Sequence, residues 1–326
     1  MKITTYLILF CVFSLCLSGQ YNAEGWIIDL EYAKLAPEKV YKLDLSNQEL
    51  REIPAVIKHF KNLRSLNLSH NKIMNIDGAF SELASIQRID LSNNWLQKID
   101  FTSFKSCKSN LVELMLRFNQ ISNVDESINI LSRLEVLDLG GNRLKSIITE
   151  ITLPSLITLY LDNNELKKEP IFIRNSSRLS RLNLNNNRIK EMTFTTDSWN
   201  IIRLDIGDNP IEKLVFDKNL KVEKLILDWI DLSKVRIDKF PPRLIRLSME
   251  HCGLKDIPEN IYTLKQLREF SIMHNELEGL STELLQLKRL RKLWVAGNYV
   301  SIHDIEMKDK NKSLKIIFSG EVVLQK

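Results

Sequence analysis

Cysteine is the first thing this chain lacks. It has four in 326 residues, and Cys11 and Cys16 fall in an apolar leader, which leaves only Cys107 and Cys252. Two cysteines do not staple a small disulfide scaffold, so the fold must rest on a large apolar core. No block of one charge is present either. The 46 basic and 41 acidic side chains are interleaved, for a net charge of +5, and no basic track follows a phosphate backbone. Beyond the leader no apolar run is long enough to span a bilayer. A Gly-rich phosphate loop, an H-E-x-x-H and a C-x-x-C pair are all absent. These absences point away from nucleic acid and from catalysis, and no cofactor, catalytic residue or metal ligand set is expected.

The leader itself reads as an export signal. Lys2 supplies a positive start, Ile3 to Leu17 are almost continuously apolar, and the small residues Ser18 and Gly19 follow. A run of about 15 residues falls short of the roughly 20 that cross a bilayer, so cleavage after Ser18 and release outside the cell are expected. Residues 1–18 are accordingly assigned as a signal peptide.

What the chain has is a period. Leu63-Arg-Ser-Leu66-Asn-Leu68-Ser-His-Asn71-Lys-Ile73 fits L-x-x-L-x-L-x-x-N-x-L at every fixed position. The same frame opens at Val40, Leu63, Ile86, Leu111, Leu134, Leu156, Leu179, Ile201, Val222, Leu244, Leu267 and Leu290, at intervals of 21 to 25 residues. In each copy the fourth and sixth positions face one way from a short strand, and the third, fifth and seventh face the other. The inward pair is apolar throughout, with Phe270 and Met249 as the substitutes for Leu, Ile or Val. One unit cannot bury that face alone, whereas stacked neighbours share a continuous core.

The ninth position carries Asn71, Asn94, Asn119, Asn142, Asn164, Asn187, Asn209, Asn275 and Asn298. A buried amide there can bond backbone groups of its own repeat and of its neighbour, and each group left unmet would cost about 1–3 kcal/mol. Gln48, Ile230 and Cys252 replace it in three repeats. Ile230 offers no polar group, so the asparagine ladder is expected to break there.

This spacing resembles the leucine-rich repeat family over roughly residues 40–300. The resemblance implies an α/β solenoid, a curved horseshoe of about twelve repeats with a parallel β-sheet on its concave face. Residues 19–39 would cap one end and 301–326 the other. Cys252 is an accepted replacement for asparagine in the family. The cysteine-rich flanking caps of many extracellular members are absent.

In the returns, Pro54 and Pro258 point to extended exits, and the segments 261–267 and 284–290 have helical or 3₁₀-like spacing.

Recognition should use side chains that the fold does not require. Third positions from Arg181 through Arg203 and Lys224 to Arg246 place a cation in four successive repeats, and Tyr160, Asp205 and Ile226 are fifth-position neighbours. Trp229 occupies an eighth position. An aromatic beside arginines resembles an interface centre, so these eight residues form the candidate partner-binding face. The competing reading is a solvated ladder of charges, with pairs such as Arg181 and Asp205 serving structure alone. His251 and His274 share the eighth slot of adjacent repeats, about 5 Å apart by strand spacing, and are taken as solvated side chains because no further metal ligand is evident. Cys107 and Cys252 lie about seven repeats apart, too far to pair. Cys107 is expected to be buried, with an intermolecular bridge as its alternative. The sequons at Asn67, Asn175 and Asn311 are candidate glycosylation sites.

The resemblance implies recognition of an extracellular protein or glycan with no chemistry performed. Similar secreted solenoids act in innate immunity, in adhesion or development, or as matrix scaffolds, and the lack of cysteine caps favours the first.

Overall fold

The computed structural model describes residues 22–147, 150–194, 200–300 and 314–318. Two compact units make it up, Met1–Arg143 with Glu150–Leu156 and Leu144–Thr149 with Ile157–Lys326. Each is a stack of short parallel strands and return segments, which makes the chain a parallel-sheet solenoid.

In the first unit β1 (Lys42–Asp44), β2 (Ser65–Asn67), β3 (Arg88–Asp90), β4 (Glu113–Met115) and β5 (Val136–Asp138) pair in chain order. Every strand occupies the third to fifth positions of its repeat, and like positions face one another, as in Lys42 with Ser65. The second unit repeats this with β6 (Thr158–Tyr160), β7 (Arg181–Asn183), β9 (Arg203–Asp205), β11 (Lys224–Ile226), β12 (Arg246–Ser248), β13 (Glu269–Ser271) and β14 (Lys292–Trp294). A further strand, β15 (Lys315–Ile317), pairs with β14, so part of the expected C-terminal cap continues the sheet.

The leucine frame explains this regularity. Fourth- and sixth-position side chains are at most 2% exposed in all twelve repeats. Burying a Leu-sized side chain contributes about 1.5–3 kcal/mol, and a one-residue slip would turn the inward set outward. The register is therefore held by the core.

The asparagine ladder adds directionality. Asn187 Nδ2 donates to Leu161 O, Leu184 O and Asn185 O at 2.9, 3.0 and 3.3 Å, while its Oδ1 accepts from Leu166 N at 3.0 Å. Asn71, Asn94, Asn119, Asn142 and Asn209 do the same with their own neighbours. At Cys252 the thiol stands in as a donor, to Leu227 O and Glu250 O, both at 3.3 Å. At Ile230 the ladder breaks. The Ile211 N–H, one register back, turns to Asn209 O within its own repeat at 2.8 Å.

The returns divide into two kinds. Several are short 3₁₀ turns, including Ala55–His59, Phe101–Phe104, Glu126–Ile130, Ile171–Asn175, Glu259–Thr263 and Thr282–Gln286. Pro54 and Pro258 stand at the N-terminal edge of two of them, extended at ψ 125° and 130°. In two middle repeats the return is a strand instead. There β8 (Glu191–Phe194) and β10 (Lys213–Phe216) pair in parallel, with Met192, Phe194, Leu214 and Phe216 buried.

Residues 22–39 contribute the edge of β1. The Ile27 N–H bonds to Lys42 O at 3.0 Å, Ile27 O accepts from Asp44 N at 2.8 Å, and Ile27 and Ala33 are buried. A short helix, α1 (Leu30–Leu35), is capped by Asp29, whose carboxylate accepts the Glu31 and Tyr32 N–H groups. The assigned signal peptide, the sequon at Asn311 and most of residues 301–326 lie outside the described residues.

Candidate functional site

The strands are only three residues long, and this decides what faces outward. Third positions are exposed at Arg181, Arg203 and Arg246 and half-buried at Lys224. Seventh positions are no longer part of the strand; Ser69, Ser92 and Asp162 are buried, and Asp228 and Glu250 half-buried.

Fifth positions turn out to be partly committed. Asp44, Asn67, Asp90, Asp138, Asn183 and Asp205 each accept the N–H two residues on, closing the strand with a small side-chain turn. In Asp205 this bond runs from Gly207 N at 3.2 Å. Burial nevertheless pushes the Asp205 carboxyl up from 3.8 to about 6, with Asp228 and Asp162 adding to the rise and the Gly207 N–H and Arg203 opposing it. Burial raises Asp228 as well, reinforced by Glu250.

Eight of the sequence-derived residues fall into one neighbourhood of the second unit. Tyr160, Arg181, Arg203 and Asp205, with Asn183, line a shallow hollow of about 80 Å³. Lys224, Ile226 and Arg246, with Ser248, Glu269, Ser271 and Trp294, line another of about 180 Å³. Trp229 lies in neither and stands on the ridge beyond the strands. A larger hollow of about 680 Å³ lies among the returns, lined in part by Asp256, Glu259, Tyr262 and Lys265, and contains none of these residues.

The cation row is only partly neutralised. Arg246 pairs with Glu269 at 3.0 Å, and Lys292 approaches the same carboxylate at 3.7 Å. Among the described residues Arg181, Arg203 and Lys224 form no ion pair, so the Arg181–Asp205 bridge of the competing reading is not made. Partial burial, with the like charges of Arg203 and Arg246, lowers the Lys224 pKa against the opposing carboxylates of Asp205 and Glu269. In the first unit, by contrast, Arg88 in the same slot is paired with Glu113, and Lys42 lies over the Trp26 ring at 5.9 Å.

The eighth position supplies the ridge. In all twelve repeats it has left-handed backbone, with φ from 49° to 69°. Its N–H reaches the seventh-position carbonyl of the following repeat, as from Trp229 to Glu250 O at 2.8 Å and from His251 to Met273 O at 3.1 Å. Asn and Gly adopt this conformation cheaply; Phe118, Trp229, His70, His251 and His274 do so at a cost. Sequence reading placed Trp229, His251 and His274 in this slot but missed the backbone they share. The two histidines expected as neighbours are stacked at 4.4 Å and 10°, and Trp229 stacks on His251 at 3.8 Å and 7°. No set of three or more metal-binding side chains occurs among the described residues.

Cys107 is fully buried, donates its S–H to Phe104 O at 3.1 Å, and is pushed up from 9.0 to about 12 by burial. An intermolecular disulfide through Cys107 is thereby corrected: the thiol is neither reachable nor ionised. Asn67 is half-buried on β2, its Oδ1 accepting from Ser69 N at 3.0 Å. Asn175 ends the turn Ile171–Asn175. Among the described residues no helix is long and apolar enough to cross a membrane.

This architecture, twelve L-x-x-L-x-L frames each seating a parallel strand, is a leucine-rich repeat solenoid. Residues 38–96 match the family model described as Leucine rich repeat. Solved structures with the same fold include that of the LRIM1/APL1C complex, at TM-score 0.64 and 19% identity over 88% of this chain and 56% of that one. The functional domain of InlJ from Listeria monocytogenes gives 0.62 and 17%, over 86% and 63%. PEPR1 with AtPEP1 gives 0.58 and 24%, over 81% and 39%. The chain thus spans less than two thirds of each of these three. Such solenoids present extended binding surfaces and serve as protein-interaction scaffolds.

Proposed function

We propose that this chain is a secreted, non-enzymatic binding protein that recognises an extracellular protein through the outward strand face of repeats six to ten, in innate immunity. The observation that carries the reading is the run Arg181, Arg203, Lys224, of which none is ion-paired among the described residues, beside Tyr160 and Ile226, with Trp229 exposed on the ridge beyond. Charges that the fold neither needs nor neutralises remain available to a partner, and exposed tryptophan and arginine are enriched in binding hot spots. Secretion rests on the leader Ile3–Leu17, and glycosylation at Asn67, Asn175 and Asn311 on their sequons. The immune role rests on the resemblance of the sequence to secreted solenoids without cysteine caps; adhesion, developmental signalling and matrix scaffolding are its alternatives.

An acidic glycan would also suit the three free cations. The half-buried carboxylates Asp205, Asp228 and Glu250 beside them weigh against it, because a uniformly anionic chain would be repelled there.

The test uses the partner recovered with the mature protein from the extracellular fluid. Arg203→Glu combined with Trp229→Ala should weaken its binding at least tenfold with the melting temperature unchanged. Unchanged affinity in that folded variant refutes the location. Retention on a sulfated glycan column that survives the same substitutions would refute protein recognition by this face. Induction of the transcript by infection, with none during development, is expected of the immune role.

A further inference from the structure

Trp229 is 60% exposed and sits at φ 64°, a left-handed backbone that bulky residues rarely adopt. The slot carries Asn163, Asn186 and Asp208 in the three preceding repeats, so its geometry does not call for an indole. The ring is nevertheless stacked on one side. One face lies on His251, which lies on His274, and the column ends where Gly297 leaves room: a Cβ there would come within 2.4 Å of His274 Nδ1. On the opposite side of the tryptophan the neighbouring slot holds only the short, exposed Asp208, and no other ring stacks on that second face among the described residues.

The surroundings are acidic. Asp228 precedes Trp229 in the chain and Glu250 precedes His251. Asp228 accepts the Glu250 N–H at 2.9 Å, and Glu250 accepts the Ser271 hydroxyl at 2.6 Å. Among the described residues no Lys or Arg is ion-paired with Asp208, Asp228 or Glu250. A π-face beside an exposed carboxylate, here Asp208, attracts a cation through both the ring quadrupole and the charge.

We infer that the open face of Trp229, beside Asp208, seats a basic side chain of the protein partner. This rests on the reading that the outward face binds a protein, and it specifies that partner further. The strand row takes its carboxylates while the ridge, beyond the ends of the strands, takes its arginine or lysine. The partner surface is therefore striped in charge.

The experiment titrates the folded protein with acetyl-Gly-Arg-Gly-amide and with its citrulline counterpart, following the indole N–H signals by NMR. Trp229→Asn, a residue the slot already accepts, identifies the Trp229 signal by its loss. The arginine peptide should shift that signal saturably, and the citrulline peptide should bind at least tenfold more weakly. Asp208→Asn should cost at least threefold in affinity. Equal response to both peptides, or unchanged affinity in the folded variant, overturns the inference. Arg203→Glu should leave the peptide response intact or strengthen it. A ridge that binds arginine while Arg203→Glu leaves partner affinity unchanged would sink the strand-row reading and spare this one.

Discussion

Asn187 gathers four polar contacts into one buried side chain, and nothing of similar size can replace them. Removing the amide strands the Leu166 N–H and up to three carbonyls, so Asn187→Ala should destabilise the protein by about 3 kcal/mol or more in urea unfolding. Cys252 holds the same slot with two long thiol contacts, and Cys252→Ala should cost about 1 kcal/mol. Equal losses would show that the ladder is packing alone. Asp205 gives the opposite sign. Its folded carboxyl titrates at about 6 against an ordinary 3.8, so the folded state holds the proton more tightly. Its favourable contribution is complete below the ordinary value and is lost as pH rises through about 6. Asp205→Asn should therefore raise the melting temperature at pH 7.5 and flatten its decline between pH 4 and 6; a variant as pH-dependent as the parent contradicts this. The asparagines were legible because one residue type recurs at one spacing. The left-handed eighth position was not, since Asn, Gly and Asp hint at it while Phe118 and Trp229 belong to types that rarely adopt it.

At the scale of the element, hydrophobic period two over three residues decides the strands. Frame starts read from the sequence coincide with strand positions in all twelve repeats, because a slip would expose the leucines that drive stacking. The returns escaped that logic: their lengths vary, and each is free to close as a 3₁₀ turn or a strand. The pair β8 and β10 was signalled only by the matching alternation of Glu-Met-Thr-Phe and Lys-Leu-Val-Phe, too short to separate from chance. Aromatic packing holds the returns. Phe104 stacks on Phe80 at 5.0 Å and meets Phe101 at 6.3 Å, and all three are fully buried. Phe104→Ala should cost about 3–5 kcal/mol through the cavity it leaves. Because repeats contact only their neighbours, hydrogen exchange should accelerate at β3 and β4 well before β1. Uniform acceleration along the first unit would argue against nearest-neighbour stacking.

The molecule as a whole separates what stacks from what is left over. Leucines and asparagines are fixed by the solenoid, and the remaining strand-face residues are released from that duty in different degrees. Sequence alone grouped Tyr160, Arg181, Arg203, Asp205, Lys224, Ile226, Trp229 and Arg246, and the structure gathers them in one unit. It could not reveal that Arg246 is paired with Glu269 or that Trp229 is stacked on His251, because these depend on neighbours some 20 residues away in the chain. Site-specific photo-crosslinking tests the resulting account most directly. A benzophenone side chain would replace Arg181 or Lys224 on the strand face, or Val215 on the return strand β10, and each protein would be irradiated in the extracellular fluid. The account expects one shared partner to be captured from both strand-face positions and not from Val215. Capture of that partner from Val215 alone would contradict it.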